Sequence, residues 1–444
     1  MRTTKRGLPR GGLAALLLAL VALVVAGCAS SSSDSGGGDS GDGGSSGGPV
    51  QITLWHGQNQ TAKQVIDGLV DRFNASHPDI KVDSETGALA DSLYEKTTAA
   101  LAGGKYPDII YEFGPNLASL ARSPKAVDLT SVVRSPSWRW DDFYAPARDA
   151  VTVDGKIRAV PAVVDSLAVV YNKRLFRAAG IPEPRAGWTW DDYRAIARQL
   201  TNSADGQFGT GWPGSGDEDT VWRLWPMIWQ AGGDVSSDDN TKAGFGGAPG
   251  LKAFTAIDDM SAVDRSVYID KTGGGEKMYA LFNNNRIGMV PTGPWQLPEV
   301  IKARVGYGVV PLPSFSSTPT TISGPDGWMV FDNGDARARA SETFLQWLTE
   351  PAQDAQWDVS AGSLPLRRST AMEPFWRRHA DEISGLDTFV DTLNDARVRP
   401  TIEQYPRLSE SVATGIVDVL LGTASPQDAL NSAVDGANEA LSGN

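Results

Sequence analysis

Six tryptophans, Trp188, Trp190, Trp212, Trp222, Trp225 and Trp229, fall within about 40 residues of a 444-residue chain that carries 14 in all. Indole rings pack cores and helix ends, and most of these are expected to do so. At this density they also offer flat apolar walls to a polyhydroxylated ligand. A sugar lays its C–H faces against indole while its hydroxyls need hydrogen bonds from acids, amides and arginine. Acid–base chemistry has less to work with. His56, His77 and His379 are scattered, and no carboxylate cluster has metal-ligand spacing, which disfavours a metal hydrolase. The chain has no P-loop, no Gly-rich dinucleotide fingerprint after a strand and no Gly-x-Ser-x-Gly elbow. No catalytic residue, cofactor or metal site is assigned. The expectation is a binding protein, not an enzyme.

One thiol carries chemistry of another kind. Cys28 is the only cysteine, and it closes the run Val25-Ala26-Gly27-Cys28 after a basic stretch (Arg2, Lys5, Arg6, Arg10) and the apolar segment from Leu13 to Ala26. An apolar run of about 14 residues is the size of a secretory signal core and is short for a bilayer span. The site resembles the lipobox of bacterial lipoproteins, which implies a signal peptide over 1–27 and an acylated Cys28. Residues 29–49 are almost wholly Ser, Gly and Asp, closed by Pro49. Such a segment cannot bury enough apolar surface to order itself. As a coil of about 20 residues it would span roughly 25 Å, so 28–49 is expected to be a tether. Loss of 1–27 removes four positive and no negative charges, taking the formal net charge from −13 to −17. An acidic surface disfavours nucleic acid and anionic lipid as partners.

The elements after the tether follow an α/β order. Residues 50–55 alternate as a strand, and Val65, Ile66, Leu69, Val70 and Phe73 share one face of a helix over 61–75. Ile80-Lys81-Val82 starts a second strand, 90–102 a second helix, and 108–113 a buried third strand. A β-α-β-α-β run predicts a parallel sheet, and ligands sit beyond the carboxyl ends of such strands. Those ends are His56-Gly57-Gln58-Asn59 and Glu112-Phe113-Gly114. Further helices are predicted at 172–179, 190–201, 219–231, 249–263 and 276–284, with strands at 309–312 and 328–331. Leu408, Val412, Ile416, Val419 and Leu420 mark a late helix, and Ser425-Pro426 caps the last one.

These strings together carry a resemblance. Ile52-Thr53-Leu54-Trp55, Pro107-Asp108-Ile109-Ile110, Val160-Pro161 leading to Tyr171-Asn172-Lys173, Trp225-Pro226, Gly293-Pro294-Trp295, Gly306-Tyr307-Gly308-Val309 and Tyr405-Pro406 occur in this order along the chain. The chain is similar to the extracellular solute-binding proteins of carbohydrate ABC importers, the broad maltose-binding-protein-like family. The resemblance implies a two-lobed periplasmic-binding-protein-like fold, each lobe a mainly parallel sheet flanked by helices and joined by crossover strands. Lobe 1 is expected over 50–162 and 326–366, lobe 2 over 163–325 and 367–444. It further implies a ligand cleft lined by Gln58, Asn59, Glu112, Phe113, Asp165, Trp222, Trp225, Trp295, Asp326, Trp328, Arg399 and Tyr405. The implied partners are a di- or oligosaccharide, the permease subunits of an importer and, through the lipid on Cys28, the outer face of the cell membrane. The protein is expected to act as a monomer. The alternatives are a secreted glycoside hydrolase, with Glu112 and Asp165 as its carboxylates, and a glycan-binding surface or sensor protein.

Overall fold

The computed structural model of the chain describes residues 48–58, 60–86, 90–315 and 320–443. Cys28, the leader, almost all of the tether and Asn59 lie outside the described residues. Residues 48 onward form one compact unit built on two five-stranded sheets.

In the first sheet the strand order is Ile80–Thr86, Val50–His56, Ile109–Glu112, Asp326–Val330, Ala159–Val163. Ile52 and Leu54 point into the core, where Ile66, Leu69, Val70 and Phe73 of helix Gln60–Ser76 cover them. In the second sheet the order is Tyr307–Pro311, Ala168–Asn172, Ile287–Thr292, Phe208–Pro213, Val267–Asp270. One core of this sheet gathers Val169, Tyr171, Trp212 and the buried stripe of helix Tyr405–Leu421. Another packs Ala168, Val170 and Val290 against Trp376 and Phe389.

Both sheets are mixed rather than mainly parallel. Val50–His56 runs parallel to both neighbours, but Asp326–Val330 is antiparallel to Ile109–Glu112 and to Ala159–Val163. The second sheet repeats this, with two parallel and two antiparallel pairings. The register supplies the reason. Gly327 pairs with Glu112, and Ala168 with Thr292, so a strand arriving from the other sheet starts at its neighbour's carboxyl end and must run backward. Val163 and Pro311 likewise end beside Asp326 and Ala168. All the crossing segments therefore meet at the carboxyl ends of the parallel strands.

Local signals placed most helices well. Trp190–Leu200 has a full capping box from Thr189 and Asp192, and Asn172 caps Lys173–Ala179 before Gly180 turns left-handed at φ 68°. The helix expected over 219–231 is instead two, Glu218–Trp222 and Trp225–Gln230. Pro226 has no N–H to continue the ladder and so opens the second piece. The predicted 249–263 helix ends at Asp258 and passes into a π-turn over Asp259–Val263.

Candidate ligand-binding site

A cavity of about 660 Å³ opens at the junction of the two sheets. Phe113 and Asp326 reach it from the first sheet, Trp222 and Trp295 from the second, and Asp165 and Gly324 from the crossing segments. Arg399 and Ser409 close it from the C-terminal part of the chain.

The crossing segments are laced together by the two aspartates. Asp165 Oδ1 accepts from the Gly324 amide at 2.7 Å, and Asp326 Oδ1 from the Gly114 amide at 2.9 Å. Asp326 Oδ2 takes the Tyr111 hydroxyl at 2.5 Å, and the Gln58 side chain reaches the same hydroxyl. Burial pushes the Asp165 carboxyl up to about 7, with the Asp326 charge adding to it against the Gly324 amide and Arg399. Burial also lifts Asp326, to about 6, against the hydrogen bonds from Tyr111 and Gly114. Gly114 has to be glycine here, because a Cβ would lie 2.5 Å from the Pro325 carbonyl oxygen.

Opposite stands a second polar group that local sequence pattern did not reveal. Glu218 accepts from Arg399 Nη1 at 2.7 Å and from the Tyr405 hydroxyl at 2.8 Å, and Ser409 Oγ donates to its other oxygen. Burial opposes the Arg399 charge, but Glu218, Tyr405 and Asp326 together hold its pKa above the usual guanidinium value. Trp225 Nε1 donates to the Tyr405 hydroxyl at 2.9 Å, continuing this network into the core.

The aromatic wall is a stacked pair, Trp222 and Trp295, with ring centroids 5.5 Å apart and planes 27° off parallel. Gly293 makes the Trp295 position possible, since a Cβ there would fall 1.7 Å from the indole ring. Beside Trp222, Arg223 is buried and donates to the Pro291 carbonyl at 2.9 Å and to Asp219 Oδ1 at 2.7 Å, which pins the short helix to the strand end.

Of the residues expected in the cleft, Phe113, Asp165, Trp222, Trp295, Asp326 and Arg399 line this cavity. Five others sit behind its wall. Glu112 is fully buried and does not line the cavity; its Oε1 accepts from the Phe113 amide and Asn116 Nδ2. Trp328 lies in the sheet core, edge-on to Tyr111 at 5.1 Å. Trp225 and Tyr405 are 0% and 1% exposed; Trp225 donates to the Tyr405 hydroxyl, which in turn donates to Glu218. Gln58 does not line the cavity, and its side chain hydrogen-bonds the Tyr111 hydroxyl. Asn116, Glu218, Ser409 and Glu410 line the cavity without having been expected. The acidic run Asp217-Glu218-Asp219 just ahead of Trp222 was the one sequence signal for any of them.

This architecture has relatives. The family described as bacterial extracellular solute-binding proteins matches residues 68–381. The chain is a member of that family. An uncharacterized lipoprotein of Streptomyces antibioticus is 26% identical to this solute-binding protein over 363 residues, 78% of this chain and 76% of its own length. The sn-glycerol-3-phosphate-binding periplasmic protein of Escherichia coli K12 is 22% identical over 415 residues, 88% of this chain and 92% of its own. The crystal structure of the cyclic α-maltosyl-1,6-maltose binding protein from Arthrobacter globiformis superposes with a TM-score of 0.80 at 28% identity, covering 89% of this chain and 100% of that one. The family works outside the cytoplasm, and its members bind solutes rather than transform them. The two-lobed α/β fold expected from the sequence is the fold of these relatives.

Proposed function

We propose that this solute-binding protein captures a di- or oligosaccharide in the cavity between its sheets and delivers it to the permease subunits of an ABC importer. The observation that carries this reading is the pairing of the Trp222–Trp295 wall with the carboxylates of Asp165 and Asp326 in one 660 Å³ space. Indole faces take the apolar faces of a sugar ring and the carboxylates accept from its hydroxyls. A micromolar affinity needs about −8 kcal/mol, a sum that two indole faces and several charge-assisted hydrogen bonds can reach.

In this reading the bodies that close are lobe 1, 50–162 and 326–366, and lobe 2, 163–325 and 367–444. Ligand that touches both favours the shut state by its differential affinity. Acylated Cys28 and the tether over 28–49 would hold a monomer at the outer face of the membrane, within reach of the permease. The chain itself performs no chemistry on the sugar. Glu112, the acid the hydrolase alternative paired with Asp165, is fully buried and does not line the cavity.

A thermal-shift screen of the purified protein against a carbohydrate panel tests the proposal. A ligand at 100 times its Kd adds about 2.7 kcal/mol and raises the midpoint by a few degrees. The sugar should be recovered intact afterwards. A panel in which no saccharide shifts the midpoint, or a sugar returned cleaved, overturns it.

A further inference from the structure

The charge lining the cavity is lopsided. Asp165, Asp217, Glu218, Asp219, Asp326 and Glu410 line it with Arg399 as the sole cation among the described residues. Two of these acids already have a cation: Glu218 holds Arg399 at 2.7 Å, and Asp219 holds Arg223 at 2.7 Å. Asp217 and Glu410 are exposed at the rim, where solvent screens them. That leaves Asp165 and Asp326 in the interior with no guanidinium of their own. Every hydrogen bond Asp326 accepts comes from a neutral group, the Tyr111 hydroxyl and the Gly114 amide. Asp165 Oδ1 takes the Gly324 amide, and its Oδ2 has no hydrogen bond among the described residues.

A second feature points to an absent ligand. Trp222 is 7% exposed, and its Nε1 has no hydrogen-bond partner. A Cβ placed on Gly324 would lie 3.0 Å from Trp222 Cζ2 and 3.4 Å from Cε2, so the nitrogen-bearing edge of the ring faces a residue that lines the cavity. A buried donor left unpaired is costly, and a ligand oxygen would satisfy it. The cavity wall thus carries a buried donor with no partner and two carboxyl groups whose nearest cation, Arg399, is already paired with Glu218.

Building on the sugar-capture reading, we infer that the ligand is a cationic sugar, whose protonated amine sits against Asp165 and Asp326 while a hydroxyl accepts from Trp222 Nε1. A neutral sugar would leave the two desolvated carboxyl groups facing each other's field, opposed only by an Arg399 charge that Glu218 already shares. An ammonium offsets that field, and in a water-poor cavity the attraction is far larger than in bulk water. The adjoining indoles add a favourable face for a cation. A phosphorylated ligand would meet like charge, and the Arg399 guanidinium that could receive it is engaged by Glu218.

The test is calorimetric titration of the full-length protein in detergent with matched pairs, chitosan oligosaccharides against cello-oligosaccharides of equal length and trehalosamine against trehalose. N-acetylated chitosan oligosaccharides and glycerol 3-phosphate serve as uncharged and anionic controls. The amine member of a pair should bind at least ten-fold more tightly than its neutral partner, and acetylation should abolish the advantage. Asp326→Asn and, separately, Asp165→Asn should each weaken the amine member by a larger factor than its neutral partner, so that most of the margin is lost. A neutral member that binds as tightly as its amine partner overturns the inference and leaves sugar capture standing. Binding of glycerol 3-phosphate with no saccharide bound overturns both.

Discussion

Removing the charge of Glu218 should uncouple the back wall of the cavity from the rest of the site. Glu218→Gln keeps the shape, and its amide oxygen can still accept from Arg399 and Tyr405, which now approach at 2.7 and 2.8 Å. What is lost is the counter-charge to Arg399. Breaking a fully buried ion pair costs about 3–5 kcal/mol, because the surviving charge is left uncompensated. Here the side chains are 30% and 12% exposed, so solvent screening reduces the expected loss to about 1.5–3 kcal/mol. Urea unfolding of the variant beside the parent measures it. Arg399→Met in the Glu218→Gln background should recover part of the loss, giving a coupling energy above about 1 kcal/mol in the double-mutant cycle. Ligand affinity should fall in the single variant too, since Arg399 and Ser409 line the cavity. A Glu218→Gln protein within about 0.5 kcal/mol of the parent, with no coupling to Arg399, would refute the idea that this network organises the wall.

Trp295→Ala should weaken ligand binding by roughly 2–4 kcal/mol, as central aromatic anchors do, with the fold retained by circular dichroism; unfolding without a specific loss of affinity would make the ring a core residue. Gly293→Ala should lower affinity through the same ring, because the new methyl falls where the indole lies. With Asp165 held at about 7, the unliganded protein binds this proton more tightly than the unfolded chain does, so its contribution to stability falls as pH rises from about 4 to about 7. Ligand donors favour the ionised carboxylate, so affinity should instead rise with pH through about 7, changing at most ten-fold per unit below it, and titrations in buffers of different ionisation enthalpy should show proton release on binding. Cys28→Ser should free the protein from the membrane or leave it unprocessed without changing ligand affinity, and normal processing with full membrane retention would count against the anchor.

Much of the scaffold could be read locally. Alternating Ile52 and Leu54, the stripe through Phe73 and the Thr189–Asp192 capping box are short-range patterns, and each appears where its residues predict. Gly293-Pro294-Trp295 and Asp165 were legible only through family resemblance. Strand direction was not readable, because it depends on where a crossing segment re-enters a sheet, as Gly327 does beside Glu112 and Ala168 beside Thr292. Trp225, Trp328 and Tyr405 illustrate a different limit: aromatic type marks a residue as important near a cleft but not which side of the wall it occupies. Glu218 was missed because its partners Arg399, Tyr405 and Ser409 are 181, 187 and 191 residues distant. No local periodicity encodes a contact of that range.

The central claim, that a sugar is held between the indole pair and the two aspartates, is tested most directly by a crystal structure of the protein with its tightest saccharide. A sugar ring should lie on Trp295 or Trp222 with carbon atoms within about 4 Å of the indole plane, and sugar hydroxyl or amine groups should be within hydrogen-bonding distance of Asp165 and Trp222 Nε1. A saccharide bound elsewhere on the molecule, with this cavity holding only water, would contradict the account.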